Sequence, residues 1–140
     1  MVAYNKFNQF TKDLIDGVYD FDAHAFKVLL TLTAPVATNS VKADLTEIAA
    51  GNGYSAGGTP TTITTSTATG VAKGTATDVT FMASGGSIAN FRYIVVYDDT
   101  PTSPADPLIC WFDNGSTVTL TDGNSFMVDF SAANGLFTVT

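Results

Sequence analysis

Apolar and polar positions change period along the chain, and each change marks an element. In residues 4–16, Phe7, Phe10, Leu14 and Ile15 recur at helical spacing and form one apolar stripe. This predicts an N-terminal helix within residues 1–17, with Asn5 or Tyr4 near its N-cap and Gly17 as its stop. Asp13 and Asp16 sit near its C-terminal end, against the helix dipole, so it needs packing to survive. From Phe26 to Thr33 the period becomes two. Phe26, Val28, Leu30 and Leu32 alternate with Lys27, Leu29, Thr31 and Thr33, a strand that Pro35 ends. Residues 41–49 suit a short helical turn with Val41, Leu45 and Ile48 on one face, and the glycine-rich stretch 51–58 is loop.

Beyond Thr59 the helical period disappears. Thr61–Thr69 and Val71–Met82 are rich in β-branched residues, are separated by Gly70, and read as a hairpin. Residues 83–90 form a loop. Phe91–Tyr97 is a near-continuous apolar run, the signature of a central strand buried on both faces. Residues 98–107 hold three prolines and form a long surface loop. Leu108–Asp113 is the next strand. Asn114-Gly115 is the strongest hairpin signal in the chain and leads to Ser116–Thr121. Asp122-Gly123 is a second such turn, leading to Ser125–Phe130, and Asn134-Gly135 a third, leading to Leu136–Val139. Short strands at this spacing define a mainly β chain: an antiparallel β-sandwich or barrel-like domain with an N-terminal helix, one domain over 1–140 with the β part spanning 18–140.

Length and charge narrow the partners. A chain of 140 residues buries roughly 68% of its unfolded surface, enough for one core without staples. Six Lys and Arg stand against 13 Asp and Glu, a net charge of −7, which argues against nucleic acid and against an anionic membrane. Only 14% of residues are charged, where about 25% is usual. Such a surface suits one that other protein covers. The single cysteine, Cys110, allows no intrachain disulfide and reads as a buried thiol. No secretory leader and no membrane-spanning helix are expected.

Candidate chemistry is sparse. Gly53-Tyr54-Ser55-Ala56-Gly57 matches the nucleophile-elbow pattern, but that motif needs a preceding strand and a following helix, and the only histidine, His24, precedes the serine. The same loop lacks the Lys-Ser/Thr and the glycine spacing of a phosphate cradle. His24 lies near Asp20 and Asp22, a set too small for a metal site, and reads as a turn residue capping a strand. Asp98, Asp99 and Asp113 fall at strand ends without a calcium-loop pattern and read as solvated or turn-forming. Asn114-Gly115-Ser116 is a formal glycosylation sequon that marks only a turn. No catalytic residue, cofactor or metal is expected. Trp111 points away from Cys110 and Phe112, and if its face is not core it becomes an apolar anchor for a partner.

Two long strings carry a resemblance. KADLTEIAAGNGY within the first 58 residues, then FRYIVVYDDTPTSPADPLI and the terminal strand-turn pattern, resemble small virion structural proteins of tailed bacteriophages. The resemblance covers nearly the whole chain, with 59–82 the variable part. It implies a capsid decoration, or cement, protein made in the host bacterial cytoplasm and carried on the capsid surface of the virion. The implied partner is the major capsid protein, together with further copies of the chain itself, through an edge strand such as 136–140. The alternative is a neck, tail or head-fibre component with host-binding loops such as 98–107. No catalytic residues come with the resemblance. The N-terminal segment and the 51–58 loop are the expected contact regions, with Tyr4, Phe7, Phe10, Tyr54 and Trp111 as the partner anchors.

Overall fold

The computed structural model describes residues 3–140. Met1 and Val2, the start of the expected N-terminal helix, lie outside the described residues. The described residues are mainly β, with antiparallel pairing throughout and one α-helix among them, and their sheets are not closed into a barrel.

The organising element is a five-stranded sheet. Its strands are β1 (Ala3–Lys6), β2 (Phe26–Thr31), β3 (Thr59–Thr61), β7 (Ile88–Asp98) and β8 (Leu108–Leu120), in the order β1-β8-β7-β2-β3. The apolar run 91–97 falls in β7, at the centre, as its composition requires. Alternation then divides the core. Phe26, Val28 and Leu30 of β2, Ile94 and Val96 of β7, and Cys110 of β8 belong to the larger of two apolar clusters. Leu29, Val95, Tyr97, Leu108 and Trp111 form the smaller one with Phe7. Lys27, Leu29 and Thr31 therefore alternate as expected, but Leu32 falls beyond the strand and is exposed.

The larger cluster is covered by the remaining elements. These are α1 (Asn8–Ile15), the hairpin of β4 (Ile63–Ala68) and β5 (Val71–Ala76), the pair of β6 (Val79–Met82) and β9 (Ser125–Val128), and the terminal β10 (Phe137–Val139), which pairs with β5. Aromatic rings knit this cover together. Phe10 meets Tyr19 and Phe137, each at 5.2 Å between centroids, and Phe21 stacks on Phe26 at 5.3 Å.

Several sequence expectations give way to long-range pairing. The N-terminal helix is shorter than its apolar stripe. Residues 3–6 pair antiparallel with β8, Tyr4 opposite Phe112 and Asn5 opposite Trp111, so neither caps the helix. Phe7 takes the N-cap position with extended backbone and no side-chain cap. The stripe itself divides: Phe7 enters the smaller cluster, Phe10 the larger, and Ile15 is 81% exposed. In 41–49 only Lys42–Asp44 forms a single 3₁₀ turn. Leu45 packs on the smaller cluster and Ile48 on the larger, because Ile48 N–H donates to Leu30 O at 3.1 Å and carries the chain along the sheet.

The glycine turns behave differently from one another. Asn114-Gly115 does not reverse the chain: β8 runs on to Leu120. Between the pairs Tyr93↔Asp113 and Phe91↔Val118 it accumulates extra residues as an irregular bulge, where Gly115 adopts φ +89°. Asp113 fixes that bulge by accepting the Gly115 N–H at 2.8 Å while binding Arg92 Nε at 2.8 Å. Asp122-Gly123 and Asn134-Gly135 do turn, but β9 pairs with β6 and β10 with β5, so neither closes a hairpin. The expected hairpin of 61–82 holds only for β4 and β5. Its second strand breaks at Thr77-Asp78, and β6 leaves to join β9.

Phe7 has no exposed surface and its ring lies 4.5 Å from that of Trp111. Phe7→Ala is expected to cost about 3–5 kcal/mol, whereas Ile15→Ala changes stability by less than about 0.5 kcal/mol. Urea denaturation of the two variants checks the assignment of this segment.

Candidate functional site

Tyr4 and Phe112 stand opposite one another on the larger-cluster face, with Ile94 next to Phe112 on β7. Here, at the β1 edge, the cover over the sheet is incomplete. The C-terminal segment also lines the gap, with Phe126 and Val128 of β9, then Phe130, Leu136 and Phe137, the Phe130 ring 5.8 Å from that of Phe112. The result is an open cleft of about 690 Å³. Its floor is apolar, and Lys6, Asp129, Ser131 and Asn134 supply the polar groups. Tyr4 meets Phe112 edge-on at 5.4 Å and is 43% exposed. Lys6 Nζ donates to Thr11 Oγ1 at 2.7 Å, which ties the end of β1 to α1.

Such a cleft recognises apolar side chains and can orient them with the polar groups around it. Among the described residues, no group of three or more His, Cys, Asp or Glu is placed to hold a metal ion. No helix among them is long and apolar enough to cross a membrane.

The other expected anchors are committed to the interior. Phe7 and Phe10 are core residues, and Trp111 is buried under Phe7, so its face is core. Tyr54 is buried as well. Its hydroxyl donates to Glu47 Oε1 at 2.7 Å and accepts the Leu30 N–H at 3.1 Å. Gly57 N–H reaches the same Glu47 oxygen at 2.6 Å, and Tyr97 Oη donates to Gly57 O at 2.7 Å. The 51–58 loop is therefore fastened to the sheet by buried polar bonds. Of the five anchors only Tyr4 presents surface. A fully packed aromatic cannot reach a partner without local unfolding.

A polar pair lies elsewhere. Asp98, expected as a solvated or turn residue, has no exposed surface. It does form a turn, accepting the Thr100 N–H at 3.1 Å, and its Oδ2 lies 2.6 Å from His24 Nδ1. His24 is thus engaged with Asp98 rather than with Ser55. The loop that follows is also tied down, by Lys42 N–H to Asp106 O at 2.9 Å and Asp106 N–H to Pro101 O at 3.2 Å. Cys110 is fully buried, and burial pushes its thiol pKa far up, so it stays protonated and inert.

Compared with protein-family models, with curated proteins and with solved structures, the chain matches none.

Burial raises the Asp98 carboxyl pKa, with His24 and the Thr100 N–H pulling the other way. A carboxyl raised in this way binds its proton more tightly in the folded than in the unfolded chain. Its contribution to stability is full below the ordinary carboxylate range and is lost as pH rises through the folded value. His24→Ala removes the partner of the charged form. It is expected to cost about 1–3 kcal/mol at pH 7 and less once Asp98 is protonated. Denaturation of the variant and the parent across this pH range checks the sign.

Proposed function

We propose that this chain is a non-enzymatic structural component of a tailed-bacteriophage virion, one that decorates and stabilises the capsid shell. The observation that carries the reading is the apolar cleft beside Tyr4. It is an open apolar surface lined by aromatic rings, and Tyr4 beside it is the one exposed aromatic among the described residues. The low charge content and the resemblance of the 42–54 and 91–109 strings to phage virion proteins support the same reading. So does the layering. We read the β6–β9 pair and the β10-β5-β4 sheet, laid over the large face of the five-stranded sheet, as a sandwich-like arrangement.

In this reading the major capsid protein places an apolar side chain in the cleft, and Tyr4 packs against it. A cement protein acts by mass action: it binds the assembled shell and not its separated parts, so binding stabilises the shell. Many copies sum modest contacts into large stabilisation. The chain then sits on the capsid surface and is made in the host cytoplasm.

The test is to titrate the protein onto expanded capsids that lack it and count the copies bound. Saturation at hundreds of copies, on the order expected for a lattice rather than an axial site, together with a higher melting temperature of the shell, is the expected outcome. Saturation near a dozen copies moves the protein to the neck, tail or fibre, and no binding to any particle part overturns the reading. Tyr4→Ala is expected to weaken shell binding by at least about tenfold. Because Tyr4 is already part-exposed, the variant is expected to keep its fold, with a loss of less than about 1.5 kcal/mol.

A further inference from the structure

The β4–β5 hairpin is an unusual piece of this molecule. Only Ile63, at the base of β4, is buried; the five residues Thr64–Ala68 are all exposed, so neither face of this strand packs on a core. β4 is also the outer strand of its sheet. A strand in this position presents unpaired backbone groups, and proteins usually blunt it with charge, proline or brevity. The other outer strands of the described residues show such devices. β1 carries Lys6, and its Asn5 side chain donates to Ala3 O; β3 contains Pro60; β10 has three residues. β6 and β9 offer four residues each. β4 has six, with no charge and no proline.

The backbone pattern identifies which groups are free. Thr62 O accepts the Thr77 N–H at 2.9 Å, and pairing continues through Thr64↔Thr75, Ser66↔Lys73 and Ala68↔Val71. The turn is the two residues Thr69 and Gly70, at φ +49° and +79°, which makes Ala68 and Val71 the closing hydrogen-bonded pair. Even-numbered residues of β4 therefore direct their N–H and C=O groups to β5. Thr65 and Thr67 direct theirs to the open edge.

We propose that a second copy of this chain occupies that edge. The two β4 strands pair antiparallel about a two-fold axis, Thr65 opposite Thr67 of the other copy and Ser66 opposite its own equivalent. The hairpin sheets then merge into one of six strands. Charge favours a copy of the same chain here. The chain carries −7 overall, but residues 59–82 hold only Lys73 and Asp78 and are neutral. Lys73 is already turned inward, donating to Ala132 O and Ala133 O. The edge is thus the place where two acidic molecules meet with least repulsion. Its threonines also suit one another, since Thr–Thr cross-strand pairs stabilise antiparallel ladders. Burial sets the register. Ile63 is buried and cannot take part, and only centring on Ser66 engages both Thr65 and Thr67 of each copy.

This dimer requires nothing of the virion reading and forms in the purified chain. Sedimentation equilibrium over a concentration series is expected to give twice the 14.6 kDa chain mass. The double variant Thr65→Pro, Thr67→Pro removes outward N–H groups and none that β5 uses. It is expected to weaken the dimer by at least about tenfold while the circular dichroism spectrum is retained. A parent chain that is monomeric at every concentration overturns the proposal, including the case in which β4 serves only a strand of another protein. A dimer that the folded proline variant leaves intact overturns it too. If the proline variant loses its fold, Ser66→Cys decides. Facing residues at a non-hydrogen-bonded antiparallel pair lie about 4.5 Å apart at Cα, within disulfide reach. Oxidised glutathione is expected to link Ser66→Cys into dimers and to leave Thr64→Cys largely unlinked, with buried Cys110 silent. Equal linking of both variants, or none, overturns the assigned pairing.

Discussion

Everything in this molecule is arranged around a strand that cannot face water on either side. Residues 94–97 of β7 send Ile94 and Val96 into one apolar cluster and Val95 and Tyr97 into the other, all essentially without exposure. A strand of this kind must have neighbours along both edges and cover over both faces. β2 and β8 supply the edges. The faces are covered unequally, by a broad set of elements on one side and by Phe7, Ala37 and Leu45 on the other. The two features with most functional content follow from that inequality. The broad cover stops short at the β1 edge, which leaves the cleft, and the hairpin of β4 and β5 extends past the core it partly covers.

Burial on both faces also explains the polar fastenings. The segments crossing the sheet bring backbone and acid groups out of water, and each needs a partner. Glu47 takes two of them, the Tyr54 hydroxyl and the Gly57 N–H. Tyr19 donates to Leu108 O at 2.9 Å, and Thr31 Oγ1 donates to Thr46 O at 2.5 Å. The loops on this scaffold are consequently held by side chains from the sheet and its cover. That is why Tyr54, within the glycine-rich segment, is buried here.

The legible parts of the fold were those whose signal is local. The period-two pattern of 26–33 marks a strand and its alternation, but the strand ends at Thr31, and Leu29 and Thr31 on its second face are buried too. The continuous apolar run of 91–97 states that both faces are buried, and the structure follows it. The missed parts depend on which strand lies alongside. Ala3–Lys6 carries helix-compatible spacing, yet β8 offers it an edge, and pairing there outweighs a weak helix start. Asn114-Gly115 has the local chemistry of a reversal, but β7 continues beside it and Asp113 satisfies the glycine N–H, so the same two residues make a bulge. Val41, Leu45 and Ile48 have helical spacing but answer to two separate clusters.

The candidate site was legible to a smaller extent, for a related physical reason. An aromatic side chain carries the same apolar area whether it fills a core or waits for a partner, and only the surrounding topology separates the two. Tyr4, Phe7 and Phe10 lie within seven residues and look alike in the sequence. The crossing from strand to helix at Phe7 sends them to three environments: an open cleft, the small cluster and the large cluster. The β4 edge is the opposite case. Its exposed threonines contain no aromatic anchor and carry no sequence signal of a contact surface, because the recognition there belongs to the backbone. A run of β-branched, uncharged residues announces a strand. Whether that strand's second edge is filled depends on the pairing of the whole chain, and here β4 runs five exposed residues past Ile63 as the outer strand of its sheet.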